Sequence, residues 1–170
     1  MHHRSPRLHP RALLLLVLGA LFPLLLVAAG PGGGSGETVP LDGNRPGARL
    51  DVTLTRVVDP AAPSAAGTNA DGGAERLVSV ALRLENTGTV AYEDSPAPAT
   101  HLLDADGHRF TGTNESTTAG RSFPASLTLA PGDSADGFVT FRLPSDARPA
   151  AVQFALDAGL ADDVGHWSLP

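Results

Sequence analysis

The residues best suited by type and spacing to do chemistry are Asp104 and Asp106 in the run Asp104-Ala105-Asp106-Gly107, followed by His108. Hard cations take several carboxylate and carbonyl oxygens converging at about 2.4 Å, and alternating aspartates open loops of that kind. The run stops short. The third Asp or Asn of an EF-hand pattern is missing, His108 takes the fifth position, and Glu115 alone falls at the twelfth. A tight hairpin accounts for the same residues, since Asp-Gly supplies the positive φ that such a turn needs. Glu93-Asp94 and Asp162-Asp163 read as solvated surface charge.

Softer metal chemistry has few ligands to use. Cysteine is absent, Met1 is the one methionine, and beyond the N-terminal segment only His101, His108 and His166 remain, without ligand spacing, so neither a copper nor a zinc site is expected. A serine hydrolase needs its nucleophile on a strained turn, and no G-x-S-x-G occurs; P-loop, dinucleotide and HExxH patterns are absent too. With 18 acids any glycosidase pair can be drawn, so none is informative. Sugar-binding sandwiches present aromatic platforms, but beside six Phe there are only Tyr92 and Trp167. Trp167 reads as core or sheet edge, and Phe138, on the outward phase of its strand, is the ring expected to be exposed. No catalytic, cofactor-binding or metal-ligating residue is assigned, and no enzyme is expected.

The elements that would position these residues are strands. In 50–57 (LDVTLTRV), Leu50, Val52 and Leu54 alternate with Asp51, Thr53 and Thr55; in 78–85, Val78, Val80, Leu82 and Leu84 alternate with Ser79, Ala81, Arg83 and Glu85 before an Asn86-Thr87-Gly88 turn. Further strands are expected at 101–103 and 108–111 around the Asp-Gly turn, at 126–129 before Pro131-Gly132-Asp133, and at 137–143, 151–156 and 164–169. Seven or eight short strands at sandwich-like intervals, with no sustained 3.6 period, predict an antiparallel β-sandwich. Segments 59–74 and 112–124, rich in small polar and breaking residues, are expected to be exposed, mobile loops, and Asn114-Glu115-Ser116 within the second matches a glycosylation acceptor.

Upstream, a basic stretch (1–11) precedes 18 residues, 12–29, without a charged or hydrogen-bonding side chain. At 1.5 Å per residue they make a helix of about 27 Å, near the lower limit for spanning a bilayer yet longer than a usual signal-peptide core. Two readings stay open: an uncleaved membrane anchor, or a signal peptide removed near Ala29. Residues 30–47, rich in Gly and Pro, read as a flexible linker that lets a 48–170 domain stand off the membrane. All 12 basic residues are Arg, and beyond residue 30 the balance is nine against 18 acids. So acidic a domain repels phosphate backbones, which excludes nucleic acid as a partner.

Four stretches, LVSVALRLENTG (77–88), LLDADGHRF (102–110), LTLAPGDSADGFVTFRLP (127–144) and AVQFAL (151–156), give the chain over about 48–169 a resemblance to the immunoprotective extracellular, immunoglobulin-like group of exported bacterial domains and its domain-of-unknown-function relatives. The resemblance implies an export signal, a small immunoglobulin-like sandwich, no established enzymatic activity and a role in host or surface interaction. Lacking a lipid-anchoring cysteine, this chain has only residues 12–29 for membrane attachment; it also lacks the intersheet disulfide and central Trp of antibody domains. The expectation is thus an immunoglobulin-like antiparallel β-sandwich preceded by one N-terminal hydrophobic helix, extracytoplasmic, either secreted or held in the membrane through 12–29. It would act as a non-catalytic interaction module for an envelope or extracellular protein; the alternative is binding of a small ligand or a Ca-type cation by the acidic loops.

Overall fold

The computed structural model describes residues 32–34, 36–64 and 74–170. Two sheets face each other. One has the order β1-β11-β10-β6-β7, formed by Gly32–Gly34 (β1), Val164–Ser168 (β11), Pro149–Ala155 (β10), Thr100–Asp104 (β6) and Arg109–Thr111 (β7). The other has the order β2-β3-β4-β9, formed by Thr38–Asp42 (β2), Arg49–Ala61 (β3), Glu75–Asn86 (β4) and Ser134–Pro144 (β9). Tyr92–Asp94 (β5) pairs with Leu127–Leu129 (β8) as a separate ribbon. The described pairings are antiparallel except β1 with β11. Two single turns, Pro96–Ala99 (α1) and Leu156–Gly159 (α2), complete the fold.

The period-two pattern does what it predicts. Leu50, Val52 and Leu54, then Val80 and Leu84 of β4, then Val139, Phe141 and Leu143 of β9 point at Leu102, Val152, Phe154 and Trp167 across the sandwich, each no more than 1 % exposed. Burying a side chain of this kind stabilises the fold by roughly 1.5–3 kcal/mol. Trp167 fills the core and donates its indole N–H to the Glu37 carbonyl at 2.9 Å, so its one polar atom is satisfied.

The 30–47 linker is a correction. Thr38–Asp42 is a strand with alternating exposed and buried residues, placing Val39 opposite Val52 and Leu41 opposite Leu50. Pro40, which reads as a breaker in the sequence, sits on an outward position of this edge strand, where its missing N–H costs no ladder bond. With β1 starting at Gly32, only residues 30 and 31 separate the apolar segment from the first strand, so an 18-residue stand-off is lost. Similarly, β3 runs through Ala61 into the expected 59–74 loop. The apolar segment itself, with its expected helix and the cleavage position near Ala29, lies outside the described residues, as do 65–73. Among those described, no helix is long and apolar enough to cross a membrane.

Truncating the central aromatic is the direct measure of this core: Trp167→Ala should lower the unfolding free energy by about 3–5 kcal/mol in a urea titration followed by far-UV circular dichroism.

Candidate functional site

Strict alternation along β3 would put Arg56 in phase with Leu54 and drive a guanidinium into the core, at a desolvation cost of several kcal/mol. A β-bulge prevents it. Leu54 pairs with Leu82 but Arg56 pairs with Ala81, so the register slips at Thr55 and Arg56 turns outward. Ala81 in turn pairs with Phe138 of β9, which makes Arg56, Ala81 and Phe138 one row across three strands on the outer face. The Arg56 guanidinium lies 5.1 Å from the centroid of the Phe138 ring, a cation–π distance.

Within the 112–124 segment, expected to be a mobile loop, residues 113–123 are instead a strap bonded to that face. Thr113 and Thr140 exchange backbone hydrogen bonds of 2.8 and 3.0 Å; farther along, Phe138 N–H donates to the Arg121 carbonyl (3.0 Å) and Phe123 N–H to the Phe138 carbonyl (3.1 Å). Between these anchors Thr117 is buried over the sheet, and the Ser79 hydroxyl bonds both Thr117 Oγ1 (2.9 Å) and Thr140 Oγ1 (3.0 Å). Phe123 packs into the core at 3 % exposure, against Gly137, where a Cβ would lie 2.7 Å from the ring. Arg142 holds Glu115 at 2.7 Å, so Glu115 belongs to the strap and to no metal loop. Asn114 spends its amide N–H groups on the carbonyls of Phe123 (2.9 Å) and Pro124 (3.4 Å), closing the neck of the strap.

The strap converts a plain sheet face into a hollow of about 450 Å³ lined by Arg56, Ala81, Arg121, Asp136, Gly137 and Phe138 among others. Arg56 is fixed by donating an Nη2 hydrogen to the Ala119 carbonyl at 2.7 Å. Asp136 is bonded to Arg83 at 3.1 Å. Arg121 is exposed, and its guanidinium meets no carboxylate among the described residues. Phe138 is not the exposed ring the strand phase predicts: covered by Arg56 and the strap, it is 9 % exposed and forms the floor.

The aspartate turn is a closed hairpin. Asp104, on the inward phase and 5 % exposed, accepts backbone N–H bonds from Asp106 (3.0 Å) and His108 (2.8 Å) on Oδ1, and Oδ2 meets His108 Nδ1 at 2.9 Å. Gly107 takes the positive φ of the turn at +85°. Ligand atoms of Asp104, Asp106 and His108 lie within 4.8 Å of one another, but both Asp104 oxygens are already engaged in holding the turn. Burial pushes the Asp104 carboxyl up, yet the hydrogen bonds and charge of His108 outweigh it and the net shift is downward; the bond to Asp104 and its charge push the His108 imidazole up. The other histidines lie apart. His101 faces Arg109, with Nη2 2.9 Å from Nδ1, and desolvation followed by that charge lowers its pKa. His166 sits on β11 opposite Gln153.

Three other acids, Asp94, Asp157 and Asp163, lie at the opposite end of this sheet, where they cap loops. Asp163 accepts from the Asp42 N–H (2.9 Å), Asp157 from Asn44 (2.7 Å), and Asp94 from Ala158 (2.8 Å) and Ser95 (2.7 Å). The Asp94 bond restrains a strained turn, since Asp157 and Ala158 both have φ +56°. Beside it Tyr92 is buried, its hydroxyl the only buried side-chain polar atom without a partner among the described residues; burial, then the charges of Asp94 and Asp157, push its pKa up. Nothing in the sequence announced this convergence, because it depends on the left-handed turn.

Two facing, mainly antiparallel sheets define a β-sandwich domain, and the comparisons agree on that fold. The chain belongs to the family described as a domain of unknown function, DUF4352, whose model matches residues 48–163. Its fold is similar to that of MPT63, a secreted protein from Mycobacterium tuberculosis, at 14 % identity over 84 % of this chain and 99 % of that one, with a TM-score of 0.60. It is similar also to the yjhA protein from Bacillus subtilis, at 15 % identity over 81 % and 99 % of the two chains and a TM-score of 0.56. No curated protein matches the chain.

Two outcomes test this geometry. Gly137→Ala should cost about 1–3 kcal/mol by forcing Phe123 out of place, and hydrogen exchange should show the N–H groups of Phe123 and Phe138 losing protection before those of β4. In an NMR titration His108 should titrate above its ordinary 6.5 and return toward it in Asp104→Asn. The sign follows from linkage. The depressed Asp104 contributes stability above about pH 4 that is lost on acidification through its folded value; the raised His108 contributes below about 6.5 and loses it as pH rises through its own. The difference in stability between wild type and Asp104→Asn should therefore peak between those limits.

Proposed function

We propose that this protein is an extracytoplasmic, non-catalytic interaction module, exported and either secreted or held at the membrane by residues 12–29, and akin to the immunoprotective immunoglobulin-like group. The observation that carries the interaction role is the strap. Eleven residues of low hydrophobicity are fixed on an outer sheet face by paired backbone bonds and a buried hydroxyl cluster, and what that fixing produces is a hollow with an aromatic floor and arginine walls. Arginine beside an aromatic ring is the composition that concentrates binding energy at protein interfaces. The export half of the reading is supported by the apolar 12–29 segment behind three arginines and by the fold shared with a secreted protein. Cation binding by the acidic loops has less support, because the oxygens of Asp94, Asp104, Asp157 and Asp163 that face neighbouring backbone are spent on N–H groups.

Site-specific photo-cross-linking in the native cells tests it. A photoreactive residue in place of Arg121 should yield a discrete adduct with an envelope or extracellular protein, whereas the same residue at Gln153, on the outer face of the other sheet, should not. Adducts at neither position, with the protein present at normal abundance, would remove stable protein association as its role.

A further inference from the structure

The hollow over Phe138 carries a charge opposite to that of its surroundings. Beyond residue 30 the chain holds nine arginines against 18 acids, yet Arg56 and Arg121 line one recess with a single carboxylate, Asp136, which already bonds Arg83. Arg56 uses one N–H on the Ala119 carbonyl and one face on the Phe138 ring, leaving further donors directed by a fixed guanidinium plane. Arg121 is exposed, while its backbone is pinned to β9 through the Phe138 N–H. One fixed guanidinium and a second on an anchored backbone are a receptor for a carboxylate-type anion, and the carbon floor of Ala81, Gly137 and Phe138 accepts an apolar neighbour of that anion.

Resting on the interaction-module reading, we propose that this hollow docks an acidic polypeptide segment of the partner, with a carboxylate held by Arg56 and Arg121 and an adjacent apolar side chain against Ala81 and the exposed edge of Phe138. Two observations favour a polypeptide over an anionic lipid surface. The two arginines line one local depression of about 450 Å³, within reach of a single side chain and its neighbour. The domain as a whole is acidic, with nine arginines against 18 acids beyond residue 30, so an anionic bilayer is repelled by the surroundings of the recess while a single inserted segment meets its arginines.

The test uses the full chain in phosphatidylcholine nanodiscs and a rhodamine-labelled decapeptide of alternating glutamate and leucine, read by fluorescence anisotropy. Saturable binding is expected, weakened at least tenfold by Arg121→Glu and at least threefold by Arg121→Ala. Arg109→Glu, the same charge change on the other sheet, should weaken it less than twofold, and a lysine–leucine decapeptide should not bind. Circular dichroism establishes that each variant is folded; Arg121→Ala answers the question should the glutamate variant unfold. No binding by wild type, equal losses for Arg109→Glu and Arg121→Glu, or Arg121-dependent capture of phosphatidylglycerol vesicles in place of the peptide would each overturn the proposal. A photo-adduct at position 121 without peptide binding would overturn the anionic chemistry alone and leave the module reading standing; loss of both would remove both.

Discussion

The outer edge of β9 presents backbone N–H and C=O groups that must find partners, and most of the outer surface follows from how they do. An open edge of 11 residues would pair with any passing strand. Here the chain leaves β7 at the border of one sheet and reaches Thr140 on the other within two residues, so the segment that continues β7 covers the free edge of β9. The same bonds that satisfy β9 hold Phe123 over Gly137, bring Thr117 down onto Ser79, and present the Ala119 carbonyl to Arg56. Covering an edge and building a recess are thus one event. A strap that merely screened the edge would need neither the buried hydroxyl triad nor a guanidinium stacked beneath it.

How much of this was legible depends on whether a residue's environment is set within its own strand. Val78, Val80, Leu82 and Leu84 declare a buried face by alternation alone, and Asp106-Gly107 declares its turn through one φ angle, so strands β3, β4, β6, β7, β9, β10 and β11 were readable to within a few residues. Strand β2 was hidden because Pro40 reads as a breaker, although an edge position tolerates it. The strap was hidden for a deeper reason. Its order comes from hydroxyl pairs and backbone bonds to residues 15 to 56 positions away in sequence, and those leave no hydrophobic period. Phe138 was assigned to the correct face, but its exposure was misjudged because the covering groups, Arg56 and the strap, are invisible from its strand. Arg56 itself required the Thr55 bulge, which alternation by definition does not anticipate.

Charge is used mainly for shape. Most of the arginines are committed: Arg76 to Asp59 (2.7 Å) and to the carbonyls of Pro144, Ser145 and Ala147, Arg83 to Asp136, Arg142 to Glu115. Exposed pairs contribute roughly 0–1 kcal/mol each, so their weight lies in orienting loops rather than in holding the fold together. The carboxylates at the opposite end follow the same economy, with backbone N–H groups as their partners. Among the described arginines, the guanidiniums of Arg121 and Arg148 are the two that face solvent without a hydrogen bond or ion pair.

The family and its structural relatives bear on the core, and the recess is not core. At 14 and 15 % identity, what two chains must share to superpose is the alternation that buries one face of each strand, because most substitutions preserving it keep the sandwich. The family match, 48–163, stops short of β1 and β2 on one side and of β11 on the other, although β11 supplies the largest buried side chain, Trp167. The frame is therefore wider than the matched region, and within that region the bulge that turns Arg56 out, the strap that fixes it and Arg121 lie outside the hydrophobic interior. None of these is required to make a sandwich, since an apolar residue at 56 and a short turn after β7 would also close the fold. Arg56 in particular is turned outward by a register slip, and its guanidinium then ties the strap to the sheet through the Ala119 carbonyl and the Phe138 ring.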